Sequence, residues 1–162
     1  MSLPDWQKNG WLTAHQTSPR EVADLLGVVD RDLADCQTPG LSADWRLNIA
    51  YNAALQAATA ALAAAGYRAT RDQHHYRVIQ SLVLTLGADR GLINQFEQFR
   101  KKRNIGGYER VGAVSDHEAD EMTALAQELR QSVARWLGAN HAELLKEARP
   151  APRPERRKRR RS

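Results

Sequence analysis

The sequence predicts an all-α protein, an antiparallel helical bundle of four to five main helices followed by a disordered basic C-terminal tail. Three observations lead there. Ser18-Pro19-Arg20-Glu21 and Ser115-Asp116-His117-Glu118 both have the spacing in which a serine caps a helix and a glutamate three residues on reaches back to it. Apolar residues recur at the i, i+3, i+4 spacing of a helix facing a core. Alternating apolar and polar residues, the mark of half-buried strands, are almost absent. A length of 162 residues fits one domain, placed at residues 1–149 with its core at about 15–147; residues 150–162 form a Pro/Arg-rich tail.

Ser18 starts a helix with Pro19 at its first position, running through Val22, Leu25 and Leu26. Gly27 weakens it, with a continuation over Asp32 to Cys36 after a bend. Thr38-Pro39-Gly40 makes a turn. Ser42 caps a long, alanine-rich helix from Ala43 to Ala65, closed by Gly66. A third helix spans about Asp72 to Leu86, with Val78, Ile79, Leu82 and Val83 inward and Gly87 as its stop. The fourth runs from about Asp89 to Arg103, with Leu92, Ile93, Phe96 and Phe99 on one side, until Ile105-Gly106-Gly107 interrupts it. Ser115 opens the last long helix, through Met122, Leu125, Leu129, Val133 and Leu137, closed by Gly138; a short turn follows from Ala142 to Ala148. Short connections make successive helices antiparallel neighbours.

Apolar residues are 42% and charged residues 27% of the chain, a globular balance. No apolar run is long enough to span a membrane, and the first ten residues lack the basic-then-apolar order of a signal peptide. The one cysteine, Cys36, excludes a disulfide scaffold and a Cys-cluster metal site, and reads as a small buried residue. A cytoplasmic setting, with no membrane, no metal and no cofactor, is the expectation. The formal charge of +5 comes from the end of the chain: residues 150–162 hold seven of 24 Lys and Arg and one of 19 acids, leaving a net −1 over residues 1–149.

The densest cluster of chemistry is Arg100-Lys101-Lys102-Arg103-Asn104-Ile105-Gly106-Gly107-Tyr108-Glu109-Arg110. Four cations at a helix end complement its dipole, and the glycines are a stop signal. The same residues also suit a phosphate site, since a guanidinium is always charged and matches phosphate geometry. His74 and His75 open the third helix; adjacent helical residues point about 100° apart, so at most one is expected to face a shared cleft. Arg156, Arg157, Lys158, Arg159, Arg160 and Arg161 form an unbroken basic run that attracts phosphates or an acidic partner, or only solubilises the chain. Trp6 and Trp11 either contact a partner or tuck over one end of the bundle. Asp30, Arg31, Asp32 and Asp35 read as a solvated helix surface, and His117 as exposed.

Arg103-Asn104 followed by Tyr108, together with Trp45, Ala50-Tyr51-Asn52, Gly66-Tyr67-Arg68 and His74-His75, resembles a HEPN domain, over roughly residues 15–147. The family's motif is an Arg, often followed by a polar residue, and then a His; Tyr108 stands where the His is expected. The resemblance implies a dimeric, metal-independent ribonuclease of a toxin–antitoxin or defence system, in which the Arg and His of both chains line one cleft. There the 2′-hydroxyl of RNA attacks its own phosphate. Arg103 would stabilise the phosphate and Asn104 orient it, with Arg100, Lys101, Lys102 and Arg110 adding phosphate contacts.

Tyr108 changes the chemistry. A free tyrosine titrates near pH 10, leaving about one part in a thousand as phenolate at pH 7, whereas histidine works in both directions there. The expectation is weak ribonuclease activity or none, with RNA or protein binding retained. The alternative is a non-enzymatic HEPN module, an antitoxin or adaptor that restrains a partner such as a nucleotidyltransferase. In such pairs a tyrosine two residues after the His is modified, where this chain has Arg110.

Overall fold

The computed structural model describes residues 1–105 and 114–146, with the side chains of Asn104 and Ile105 excepted. Tyr108, Arg110 and the basic run Arg156 to Arg161 lie outside the described residues.

The chain runs α1 (Leu3–Lys8), β1 (Leu12–Ala14), α2 (Pro19–Asp35), α3 (Ala43–Ala64), β2 (Tyr67–Ala69), α4 (His74–Thr85), α5 (Arg90–Ile105), α6 (Asp116–Asn140) and a short 3-10 turn (Ala142–Leu145). The all-α bundle expected from the sequence is what forms. Its axis is α3, on which α2, α4, α5 and α6 all pack. Ala50, Ala53, Ala54, Ala57, Ala58, Ala60 and Ala61 are fully buried, and such small side chains let four helices approach one rod. These alanines are therefore covered within the chain and leave no small-residue face for a second copy.

Contacts between ends set the directions. Asp32, late in α2, meets Asn52 in the first half of α3, while Glu21, early in α2, lines a hollow with Leu62 and Ala63 near the end of α3. These two helices are thus antiparallel. Arg46 near the start of α3 pairs with Asp116 and Asp120 at the start of α6, so those helices run the same way. Lys102 near the end of α5 pairs with Glu118 in the first turn of α6 and ties the two ends together.

Several local expectations change. Gly27 does not interrupt α2, which is continuous from Pro19 to Asp35; a single glycine costs only about 1 kcal/mol, less than the flanking buried Val22, Leu26 and Val29 supply. Gly138 likewise lies inside α6, which runs on to Asn140. Ser18 caps α2 by accepting from the Glu21 amide, but the box is not closed, because the Glu21 carboxylate turns instead to His15 Nε2 at 2.8 Å. At Ser115 both halves of the box form. Asp32 is not a solvated surface charge: it is buried, accepting from Asn52 Nδ2 at 2.7 Å and from Arg31.

The sequence reading lacks α1 and a small sheet in which β1 pairs antiparallel with β2, Leu12 opposite Ala69 and Ala14 opposite Tyr67. Three-residue strands are too short to show a period of two. Gly66, with φ of 96°, reverses the chain at the end of α3 directly into β2, a backbone that other residues adopt only under strain. Trp6 is buried and stacks edge-on against Trp11, with Arg77 of α4 3.7 Å over the Trp11 ring. The two tryptophans thus close one end of the bundle and tie the N-terminal segment to α4.

Candidate functional site

The start of α4 faces the middle of α5 across an open hollow of about 710 Å³, lined by Arg71, His74, His75, Tyr76, Glu97, Arg100 and Lys101 among others. Both histidines line it, contrary to the expectation that at most one would. Both also line a second hollow, of about 440 Å³, shared with His15, Glu21, Gln56 and Arg68. Gln73, just before α4, has φ of 51°, the one non-glycine left-handed residue among those described. That turn starts α4 at His74 rather than Asp72 and brings the pair to the rim.

Each histidine is fixed by one nitrogen. His74 Nδ1 lies 3.2 Å from the Thr70 carbonyl, which can only accept, so this nitrogen carries the proton. Thr70 is itself held to the N-terminal segment: its amide and hydroxyl donate to the Trp11 carbonyl. His75 Nδ1 lies 3.2 Å from the hydroxyl of Tyr51, a fully buried residue of α3. Tyr51 packs edge-on against Phe96, with ring centroids 5.6 Å apart, while the Arg103 guanidinium sits 4.9 Å from its ring centre. One buried phenol therefore braces an imidazole from α4 and a guanidinium from α5.

The electrostatics follow from this packing. Burial pushes the Tyr51 phenol up to about 12, against the pull of Arg103 and Arg100, so it stays neutral. Burial holds the His75 imidazole below its ordinary 6.5, helped by Arg103, His74 and Arg100, so it is neutral at pH 7.

The four sequence-predicted cations divide. Arg100 donates two hydrogen bonds to Glu97 Oε2, at 3.0 and 2.9 Å. Lys102 is taken by Glu118, whose carboxyl is held below its ordinary range chiefly by that lysine and by the Ser115 amide. Lys101 is exposed at the rim of the hollow, and Arg103 stacks on Tyr51. Glu97 Oε1 is buried with no hydrogen-bond partner among the described residues. Asn104 lies in the last turn of α5. Tyr51, Glu97 and Arg71 were not singled out as site residues from the sequence. The signal for Tyr51 was a lone polar-tipped aromatic inside an alanine run.

The remaining candidates sit apart. Cys36 is buried, its thiol pushed up chiefly by burial and lying 3.2 Å from the Leu33 carbonyl. His117 is exposed, and His141 stacks on Trp136. No group of three or more His, Cys, Asp or Glu suited to a metal ion occurs among the described residues. No helix among them is long and apolar enough to cross a membrane. No protein-family model, curated protein or solved structure matches the chain, so the case for a function rests on the geometry around Tyr51.

Proposed function

We propose that this chain is an RNA-associated, HEPN-type helical bundle, acting as a dimer, whose hollow between α4 and α5 engages the ribose–phosphate backbone as a metal-independent ribonuclease site of low turnover. The observation that carries this is the convergence of Arg103 and His75 on one buried Tyr51, beside an open hollow with Arg71, Lys101 and the Glu97-paired Arg100 on its walls. Guanidinium groups bind phosphate oxygens in pairs and neutralise charge as it builds on phosphorus. The rings of His74, His75 and Tyr76 offer faces on which unpaired bases stack, which suits single-stranded RNA better than a duplex. The basic run Arg156 to Arg161 adds salt-dependent affinity without sequence choice.

The test is binding of a labelled single-stranded RNA in chelator, followed by anisotropy across a salt series. Arg103→Ala and Lys101→Ala are expected to weaken binding and flatten its salt dependence, by about one unit of slope for each phosphate no longer neutralised. RNA cleavage by the wild type, lost in Arg103→Ala, establishes the enzyme. If removal of residues 150–162 abolishes binding while the site variants leave it intact, the hollow is not the RNA site.

The internal pairing of Arg100 with Glu97 and of Lys102 with Glu118 favours a second reading, a non-enzymatic module that restrains a partner protein such as a nucleotidyltransferase. Intact RNA together with a co-purifying partner selects it. Light scattering that gives a monomer at tens of micromolar removes the dimer.

A further inference from the structure

We propose that the second hollow, enclosed by the start of α2, the latter half of α3, β2 and the start of α4, is a binding site for a small uncharged ring carrying an N–H beside a carbonyl, that is, a lactam edge. The inference stands apart from the RNA reading above, since it concerns a different cavity and is read by direct binding.

The hollow has the size and make-up of a small-molecule site. Its volume of about 440 Å³ lies within the roughly 300–1,000 Å³ usual for such sites. Leu55, Leu62, Ala63, Ala69 and Val78 form a buried apolar floor, on which a flat ring sheds water. The polar side chains around that floor are half-buried, except for Arg68, which is exposed.

Charge selects a neutral ligand. Glu21 is spent on His15, whose Nε2 lies 2.8 and 3.0 Å from its two carboxylate oxygens. Arg68 is the other full charge on the wall, and it stays in water. An ion brought onto the floor would lose its hydration with no buried counter-charge to replace it.

Hydrogen bonds select the edge. Among the described residues, His75 Nδ1 at 3.2 Å is the acceptor within reach of the buried Tyr51 hydroxyl. Tyr51 therefore donates to it, and His75 carries its own proton on Nε2. His74 is the opposite: its Nδ1 donates to the Thr70 carbonyl, which leaves Nε2 with a bare lone pair. Neither Nε2 has a hydrogen-bond partner among the described residues. On α3, Gln56 gives one N–H to Asn52 at 3.4 Å and keeps its carbonyl and a second N–H. Thr59, a turn further on, spends its proton on the Leu55 carbonyl at 2.8 Å and can only accept. Two helices thus bring donors and acceptors together above one apolar floor. A lactam edge satisfies one of each, whereas a plain hydrocarbon ring satisfies none.

The experiment titrates the full chain with 2-pyridone at millimolar concentration and follows the ring protons of its histidines by NMR. His15, His74 and His75 are expected to shift together, a set that this hollow alone brings together among those described. N-methyl-2-pyridone keeps the ring and the carbonyl but lacks the N–H. It is expected to bind about 5–100-fold more weakly, the effect of leaving a buried hydrogen-bonding group unpaired. Benzoate, of similar size but charged, is expected to bind more weakly than 2-pyridone. Gln56→Leu, which keeps the bulk of the wall and removes its amide, is expected to weaken 2-pyridone by about fivefold or more. The comparison of the two pyridones on the wild type needs no variant to fold. Shifts confined to His74 and His75 would put the ring in the hollow between α4 and α5 and overturn the proposal. It is equally overturned by the absence of any shift, or by N-methyl-2-pyridone or benzoate binding as tightly as 2-pyridone. None of these outcomes bears on whether the chain binds or cuts RNA.

Discussion

Replacing Arg103 by methionine probes the link between the guanidinium and its two neighbours without emptying the space its stem fills. The guanidinium lies 4.9 Å from the centre of the Tyr51 ring, and that ring has no solvent exposure. A cation on a partly desolvated aromatic face contributes about 0.5–2 kcal/mol. At pH 7.5 His75 is neutral, so nothing offsets that loss, and Arg103→Met is expected to unfold about 1–8 °C below the wild type. At pH 5 the balance changes. Arg103 is among the charges that hold His75 below 6.5, so removing it moves the histidine back toward that value and eases its protonation. The penalty should therefore shrink as pH falls. Arg100 acts less strongly on His75 because Glu97 already neutralises it, so Arg100→Met should shift the histidine less. Urea unfolding at both pH values, with the His75 ring followed by NMR titration, measures both quantities. A penalty that is equal at the two pH values, or a His75 titration that does not rise, refutes the electrostatic link between α4 and α5.

Further outcomes are fixed by other parts of the fold. Ala58 is fully buried in the second half of α3, so Ala58→Leu overpacks the core and is expected to cost about 1–3 kcal/mol in a urea melt. Asp32→Ala leaves the Asn52 amide without its acceptor and is expected to cost about 1–3 kcal/mol, whereas a surface charge would cost almost nothing. Gln73→Gly removes the strain of a left-handed φ and is expected to raise the melting temperature by about 1–4 °C, net of the flexibility glycine adds to the unfolded chain. His75 has a folded-state pKa below its unfolded value of 6.5, so the stability it contributes is complete above pH 6.5 and is lost as pH falls through the folded pKa. Stability of His75→Gln should therefore fall less steeply than that of the wild type below pH 6.5; parallel curves would refute the burial of this ring.

The helices were legible because they advertise themselves locally. Ser42, Ser115 and the apolar spacing of α4 and α6 are signals read within a few residues. Gly27 and Gly138 misled because the cost of a glycine is local while its compensation, packing against α3 and α6 or against the closing turn, is not. The pairing of β1 with β2 joins residues 12–14 to 67–69 through only three residues each, below the length at which alternation can be recognised. The site was half visible. Arg100 to Arg103 and His74-His75 stood out as charge and as a pair of rings, but nothing in their spacing joins the two groups. Tyr51 joins them, from the middle of an alanine-rich helix that reads as pure core. Asp32 was misjudged for the same reason, since its partner Asn52 lies 20 residues away on another helix.

The position of Tyr51 couples two helices of the candidate site through one buried side chain. Groups that act together on one ligand need a fixed separation. Here the link is a buried side chain on α3, the helix on which α2, α4, α5 and α6 all pack. His75 meets it through one hydrogen bond of 3.2 Å and Arg103 through its stack on the ring, while the ring itself packs against Phe96 in the core. The imidazole comes from α4, the guanidinium from α5, and the support common to both from α3.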